Sequence, residues 1–236
     1  MHPLDNVIWQ ALTTRQAELA EAFASARRFP QDVTLLCGLD EMSERGFDSL
    51  AGLVGEGGTG AIFLDIEYQS HPGWEYVAGA PLTQMVCENG AASTRALNSA
   101  VEVFELRPPD SPEMLELATL TKPGPFGTRT HELGNYFGIR DAGKLVAMAG
   151  ERLKVPGYTE VSAVCTHPEH TGKGYAGLAM LEVMRRIRER GERPFLHVRS
   201  DNTRAIELYK RLGFKIRKAG HFAVLRRTEQ ARRAAS

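Results

Sequence analysis

Residues 161–180 read V-S-A-V-C-T-H-P-E-H-T-G-K-G-Y-A-G-L-A-M, and how they are interpreted decides the fold. Val161 to Cys165 is an apolar run followed by a polar turn through Pro168, which predicts a strand and its exit. Gly172-Lys173-Gly174 then opens an amphipathic helix predicted over Tyr175 to Arg190, stopped by Gly191 and Pro194. Glycine lets the backbone approach a ligand with no Cβ in the way. The N–H groups of a first helical turn have no intrahelical partner, and the helix dipole adds partial positive charge there. A strand, a tight turn and a helix N-terminus therefore predict an anion site, most often for phosphate.

Three glycine patterns compete for this step. A phosphate loop of the form G-x-x-x-x-G-K-[ST] fails, because His167 occupies the first glycine position and Gly174 follows Lys173. The dinucleotide fingerprint G-x-G-x-x-G fits Gly172, Gly174 and Gly177, with Asp201 after the next strand where a ribose-binding carboxylate could lie. Against it, Thr166 to Thr171 separate the strand from the first glycine, and the preceding segments look like antiparallel hairpins. The third pattern covers more of the chain. Residues 167–176, H-P-E-H-T-G-K-G-Y-A, resemble the acyl-CoA-binding signature [RQ]-x-x-G-x-[GA] of the GNAT superfamily of N-acyltransferases. Gly174 and Ala176 fill its last two positions, while Thr171 stands where Arg or Gln is usual and removes one long donor. Residues 196–214, L-H-V-R-S-D-N-T-R-A-I-E-L-Y-K-R-L-G-F, supply the second half of the pattern with Asn202, Ala205, Tyr209, Gly213 and Phe214. The resemblance spans roughly residues 103–226, and Leu133 to Ala176 is most similar to the branch that includes glycine-acyltransferase-like enzymes.

The resemblance implies an α/β (α+β) fold, with a central, mostly antiparallel mixed sheet flanked by helices. It implies direct transfer of an acetyl or acyl group from acetyl-CoA to an amine. The pyrophosphate would sit on the backbone of Thr171, Gly172, Lys173, Gly174, Tyr175, Ala176 and Gly177. Val164, Cys165 and Thr166 would bind the pantetheine arm and acyl carbonyl through backbone groups, and Asn202, Ala205 and Tyr209 would approach the arm from the next helix. Tyr209 lies two helical turns after Asn202, where a donor could protonate the departing thiolate. Glu160 is a candidate general base for the acceptor ammonium, placed six residues before Thr166 so that both would face the same way on one strand. Cys165 reads as a buried strand thiol and not as a nucleophile. His131, His167 and His170 read as loop residues, and the arginines from Arg185 to Arg193 as a solvated helix end. The alternative reading is a degenerate acyl-CoA-binding or dimerisation module without catalysis.

With 236 residues, the chain suits one large domain or two small ones. Lys and Arg number 29 against 29 Asp and Glu, which gives no global reason to expect nucleic acid or an anionic membrane. No apolar run approaches the roughly 20 residues of a membrane span. The start, M-H-P-L-D-N, has no basic stretch leading into an apolar one, so no secretory signal is expected. Cys37, Cys87 and Cys165 are scattered, which suits a reducing cytoplasm, and no Cys/His cluster has metal-ligand spacing, so no metal is expected. The partners expected are acetyl-CoA and a small-molecule amine, with a homodimer left open.

Along the chain, apolar spacing predicts a helix over residues 5–28, a strand over 33–39, a helix over 43–54 and strands over 61–66 and 82–87. The Gly-rich turn at 55–60 reads as a flexible loop, since no helix pattern follows it. Residues 1–99 are thus expected to form a separate α/β lobe, a degenerate, non-catalytic half of the same fold, with Asn89 to Ser99 as connector. The acyltransferase domain is expected over 100–228 and a fraying tail over 229–236. Within that domain a strand at 101–107, a helix at 111–121 and a Gly/Pro-rich loop at 122–133 precede an antiparallel meander over 135–140, 144–153 and 158–165. A strand at 195–199, a helix at 202–212 and two strands at 214–217 and 221–226 complete it.

Overall fold

The structure, a computed structural model, describes residues 2–88 and 101–228. The expected connector at Asn89 to Ser99 and the tail beyond 228 lie outside the described residues. The first helix is shorter than its sequence predicts: α1 spans Val7–Thr13. Thr13 and Thr14 turn their hydroxyls back onto the carbonyls of Trp9 and Gln10, at 2.7 and 2.5 Å, a bonding pattern that competes with the helix ladder. The chain then makes a hairpin, β1 (Glu21–Phe23) and β2 (Ala26–Arg28), where a long helix was expected. Strand β3 (Cys37–Leu39) completes a three-stranded sheet. Helix α2 (Glu44–Val54) follows, capped by Ser43, whose hydroxyl accepts from Gly46 N–H at 3.3 Å.

Next come β4 (Thr59–Leu64), β5 (Trp74–Cys87), β6 (Phe104–Leu106), α3 (Ser111–Thr121), β7 (Tyr136–Asp141), β8 (Lys144–Val155) and β9 (Tyr158–Thr166). Helix α4 (Tyr175–Glu189), β10 (Arg193–Arg199), α5 (Thr203–Arg211) and β11 (Phe214–Arg227) end the described chain. The last two expected strands are one, since β11 runs unbroken through a bulge between Ile216 and Lys218. Eight strands form one sheet in the order β4-β11-β5-β10-β9-β8-β7-β6. Its neighbours are all antiparallel except β10 with β9, giving the expected mixed sheet flanked by helices.

The order corrects the expected division at residues 99 and 100. Strand β5 lies between β10 and β11, pairing from Phe195↔Val86 to Arg199↔Leu82 on one side and from Phe214↔Cys87 to Arg227↔Trp74 on the other. Strands β4 and β5 are thus part of the sheet that the C-terminal half builds. Only α1, α2 and the small sheet form a separate layer, joined to the large sheet by the Leu36↔Ala61 bridge.

Alternate residues of a strand face opposite ways, and the two cores follow from that. Ala149 and Leu196 face a core filled by Met180, Val183, Met184 and Ile187 of α4. Their neighbours Met148 and Phe195 face the other side, where α3 and α1 pack. Two irregularities of β9 shape what lies between. Its pairing with β10 covers only Arg193↔Tyr158, Pro194↔Thr159 and Phe195↔Glu160, after which the strands part. In its ladder with β8, Ser162 faces Gly150 and Cys165 faces Met148, so β9 carries one extra residue, with Ala163 in left-handed backbone at φ 52°.

The topology makes a prediction about truncation. A fragment of residues 100–236 lacks the strand that joins β10 to β11 and leaves two long, unpaired edges. It should be insoluble or show no cooperative thermal transition by circular dichroism. A soluble fragment with a sharp transition would mean that β5 is dispensable.

Candidate active site

Where β9 and β10 part, a cleft of about 500 Å³ passes through the sheet. On one face it is lined by Val164, Thr166, Val198, Asn202 and Tyr209; on the other by Phe63, Arg152, His197, Phe222 and the loop from Lys122 to Pro125. Ala78 to Ala80 and Leu82 of β5 complete its wall, so the N-terminal half supplies part of it. On the side facing β10, the β9 backbone beyond Glu160 has no strand partner among the described residues and borders the cleft.

The glycine turn stands apart from the lining, at the start of α4. Gly172 and Gly174 have φ of 83° and 80°, in the region that suits glycine, and a Cβ at Gly172 would meet only open space. Gly174 caps α4, whose first backbone bond runs from Leu178 N–H to the Gly174 carbonyl at 3.2 Å. The N–H groups of Tyr175, Ala176 and Gly177 precede that bond and remain for an anion. Thr171 is spent on the turn itself, its hydroxyl donating to the Pro168 carbonyl at 3.0 Å. Lys173 extends over the Tyr175 ring, 5.7 Å from its centroid. Gly177 does not serve the close packing that the dinucleotide fingerprint requires of its third glycine, since a Cβ there would sit 3.8 Å from Leu208 in ordinary contact.

Of the other expected residues, Val164, Cys165, Thr166, Asn202 and Tyr209 line the cleft together. Ala205 packs into the core beneath α5. Asn202 has a second task that sequence reading missed: its Oδ1 caps α5 by accepting from Ala205 N–H at 3.1 Å. Burial pushes the Tyr209 phenol up to about 12, so it keeps its proton at neutral pH and has one to donate. Burial likewise raises the Cys165 thiol to about 11, which removes it as a nucleophile.

Glu160 is the expectation the structure overturns. The extra residue at Ala163 reverses the alternation, so Glu160 and Thr166 face opposite sides of the sheet. The Glu160 side chain is fully buried and bound on both oxygens. Arg152 donates through Nε and Nη2 at 2.8 and 2.7 Å, His197 Nδ1 lies 2.7 Å away, and Leu153 N–H donates at 3.3 Å. Burial alone would raise its pKa, but Arg152 and then His197 outweigh that and hold the carboxyl well below the usual range. Such a carboxylate cannot take a proton from an ammonium at neutral pH. His197 and Arg152 carried no motif, and nothing local could have revealed a partnership set by strand register.

Replacing Glu160 by Gln leaves Arg152 buried without a counter-charge, which typically costs about 3–5 kcal/mol. The E160Q protein should melt well below wild type at pH 7. Because the folded pKa is depressed, the carboxylate's contribution is complete above the unfolded value of about 4.3 and fades as pH falls through the folded value. The difference in melting temperature should therefore persist to about pH 5 and shrink only at stronger acid; equal melting at pH 7 would refute the role.

Residues 136–223 match the model of the family described as FR47-like protein. A solved structure assigned to the GNAT family of acetyltransferases, from Novosphingobium aromaticivorans, is 33% identical, with 97% of this chain and 100% of that one aligned at a TM-score of 0.88. A GCN5-related N-acetyltransferase from Kribbella flavida shares the fold at 15% identity, covering 95% of this chain and 96% of that one with a TM-score of 0.64. A GCN5-related N-acetyltransferase-like protein from Streptococcus suis does so at 13% identity, 95% and 94% coverage and a TM-score of 0.54. No curated protein matches the chain in sequence. Among the described residues no helix is long and apolar enough to cross a membrane. The full-length match at 33% identity, on a fold with parted β9 and β10 and a glycine turn opening α4, shows that this chain belongs to the GNAT superfamily of acyl-CoA N-acyltransferases.

Proposed function

We propose that the chain transfers an acetyl or other acyl group from acyl-CoA directly to the amine of a small molecule. The observation that carries this reading is the cleft between β9 and β10, with the protonated Tyr209 on its wall and the glycine turn of α4 following β9 in the chain. The residues present fit coenzyme A. The free N–H groups of Tyr175 to Gly177 and the open space beside Gly172 suit its pyrophosphate. The unpaired edge of β9 offers amides and carbonyls to a pantetheine arm, much as a sheet edge takes up an added strand. Acyl-CoA, when bound, supplies an activated thioester. Tyr209 then holds the proton that the departing sulfur needs, and the unpaired β9 amides can stabilise the thioester carbonyl as it gains charge. The acceptor reaches the cleft from the opposite face, past Phe63, Phe222 and the loop from Lys122 to Pro125. That enclosure favours a small molecule over a protein tail or nucleic acid. The three buried free cysteines fit action in a reducing cytoplasm.

Calorimetric titration should show CoA and acetyl-CoA binding and NAD(P) failing to bind. In Gly174→Val, a branched side chain is forced to a φ of 80° beside the pyrophosphate site, and CoA binding should be lost with the fold retained. Unchanged CoA affinity in folded G174V would sink the assignment of this turn. With an acceptor in hand, Tyr209→Phe should lower turnover by about 10²–10⁴-fold while leaving CoA affinity nearly intact. A drop below about threefold would mean that another group protonates the thiolate, since general acid catalysis is worth far more.

A further inference from the structure

Once Glu160 is excluded, no described residue of the cleft lining is placed to deprotonate an ammonium. Among the described residues, no Asp or Glu lines it. Its titratable and charged lining groups are Lys122 beyond α3, Arg152 on β8, Cys165 on β9, His197 and Arg199 on β10 and Tyr209 on α5; β4, β5 and β11 contribute only uncharged residues. Cys165 and Tyr209 are held protonated by burial. Arg152 and Arg199 are paired with Glu160 and Asp201, each at 2.7 Å, while Lys122 has no carboxylate partner among the described residues. His197 is locked. Its Nδ1 donates to Glu160, and its Nε2 lone pair accepts from Gln84 Nε2 at 3.0 Å. The Gln84 amide cannot turn over to relax this, because Nε2 also donates to the Leu4 carbonyl at 3.0 Å and Oε1 accepts from Arg217 at 2.7 Å. Both imidazole nitrogens are thus committed to hydrogen bonds.

Resting on the acyl-transfer reading above, we infer that the acceptor binds as the neutral amine, selected by a partly apolar cleft in which Lys122 is the one cation without a carboxylate partner among the described residues, and that the preferred substrates are weakly basic amines such as arylamines. The proton balance agrees. A neutral amine and a thioester give an amide and a thiol: the N–C bond forms, the C–S bond breaks, and the proton shed by nitrogen equals the one gained by sulfur. Tyr209 can pass its own proton to sulfur and be refilled from nitrogen, so no net acceptor is needed. An ammonium would leave one proton over, and no described side chain of the lining is placed to receive it. Burial against Phe63, Leu82 and Phe222 beside Lys122 also penalises a cation, since desolvation and a like charge both disfavour the charged form. The discrimination is large: a lysine-type amine with a pKa of about 10.4 is neutral in about one molecule in 2,500 at pH 7, an α-amine of about 7.7 in about one in six.

The test compares aniline, neutral at pH 7, with benzylamine, cationic and one methylene longer, on full-length protein saturated with CoA or acetyl-CoA. Calorimetry in two buffers of different ionisation enthalpy should show about one proton released per benzylamine bound to the CoA complex and none per aniline. kcat/KM should rise about tenfold per pH unit for benzylamine between pH 6.5 and 8.5, following its neutral fraction, and stay flat for aniline. A common inflection at one pH for both amines would reveal a protein base and overturn the inference. So would benzylamine bound without proton release, benzylamine preferred at pH 7, or neither amine bound by protein that does bind CoA. Failure to bind CoA at all would instead count against the acyl-transfer reading.

Discussion

The buried cluster of Arg152, Glu160 and His197 is the pin at the apex of the cleft. Glu160 occupies the last paired position between β9 and β10, opposite Phe195, and its carboxylate reaches Arg152 on β8 and His197 on β10. Three adjacent strands are thus tied at the point beyond which two of them separate. Parallel strands that face each other would ordinarily go on pairing, so a cleft needs a closed end as well as an open one. Replacing a buried ion pair by apolar residues is often neutral or stabilising, so the cluster is weak evidence for stability as such. Its position suggests that it specifies where the sheet stops.

Two features hold the open end apart. The extra residue at Ala163 breaks the alternation of β9 and bends it, as bulges do. The residues of β10 opposite the gap are held from the far side by β5, which pairs with Leu196 to Arg199 while β9 does not. A strand contributed by the first ninety residues therefore keeps the second wall of the cleft in place, and Phe63, Ala78 to Ala80 and Leu82 carry those same residues into the lining. The N-terminal segment is neither a separate lobe nor a simple cover; it is the outer support of β10.

Local features were legible in the sequence and long-range ones were not. The turn at Gly172 and Gly174, the helix after it and the placing of Asn202 and Tyr209 two turns apart depend on spacing within one segment, and all are present. The helix over 111–121 likewise followed from Pro112 and its apolar pattern. The long first helix failed because Ala, Glu and Leu between residues 17 and 22 satisfy helical spacing, while the hairpin they enter is held by strand pairing with residues up to Leu39. The place of Glu160 is hidden from local spacing for a related reason. Its orientation depends on one inserted residue, and its proton affinity on Arg152 and His197, which only sheet register brings within 3 Å.

The central claim is that the parted strands hold the thioester end of acyl-CoA. A crystal structure of the full chain with CoA tests it most directly. The pantetheine arm should run along the unpaired edge of β9 beyond Glu160, the thiol should lie beside the Tyr209 hydroxyl, and the pyrophosphate should meet the N–H groups at the start of α4. CoA bound elsewhere, or a complex in which β9 and β10 close into a continuous ladder, would contradict the account.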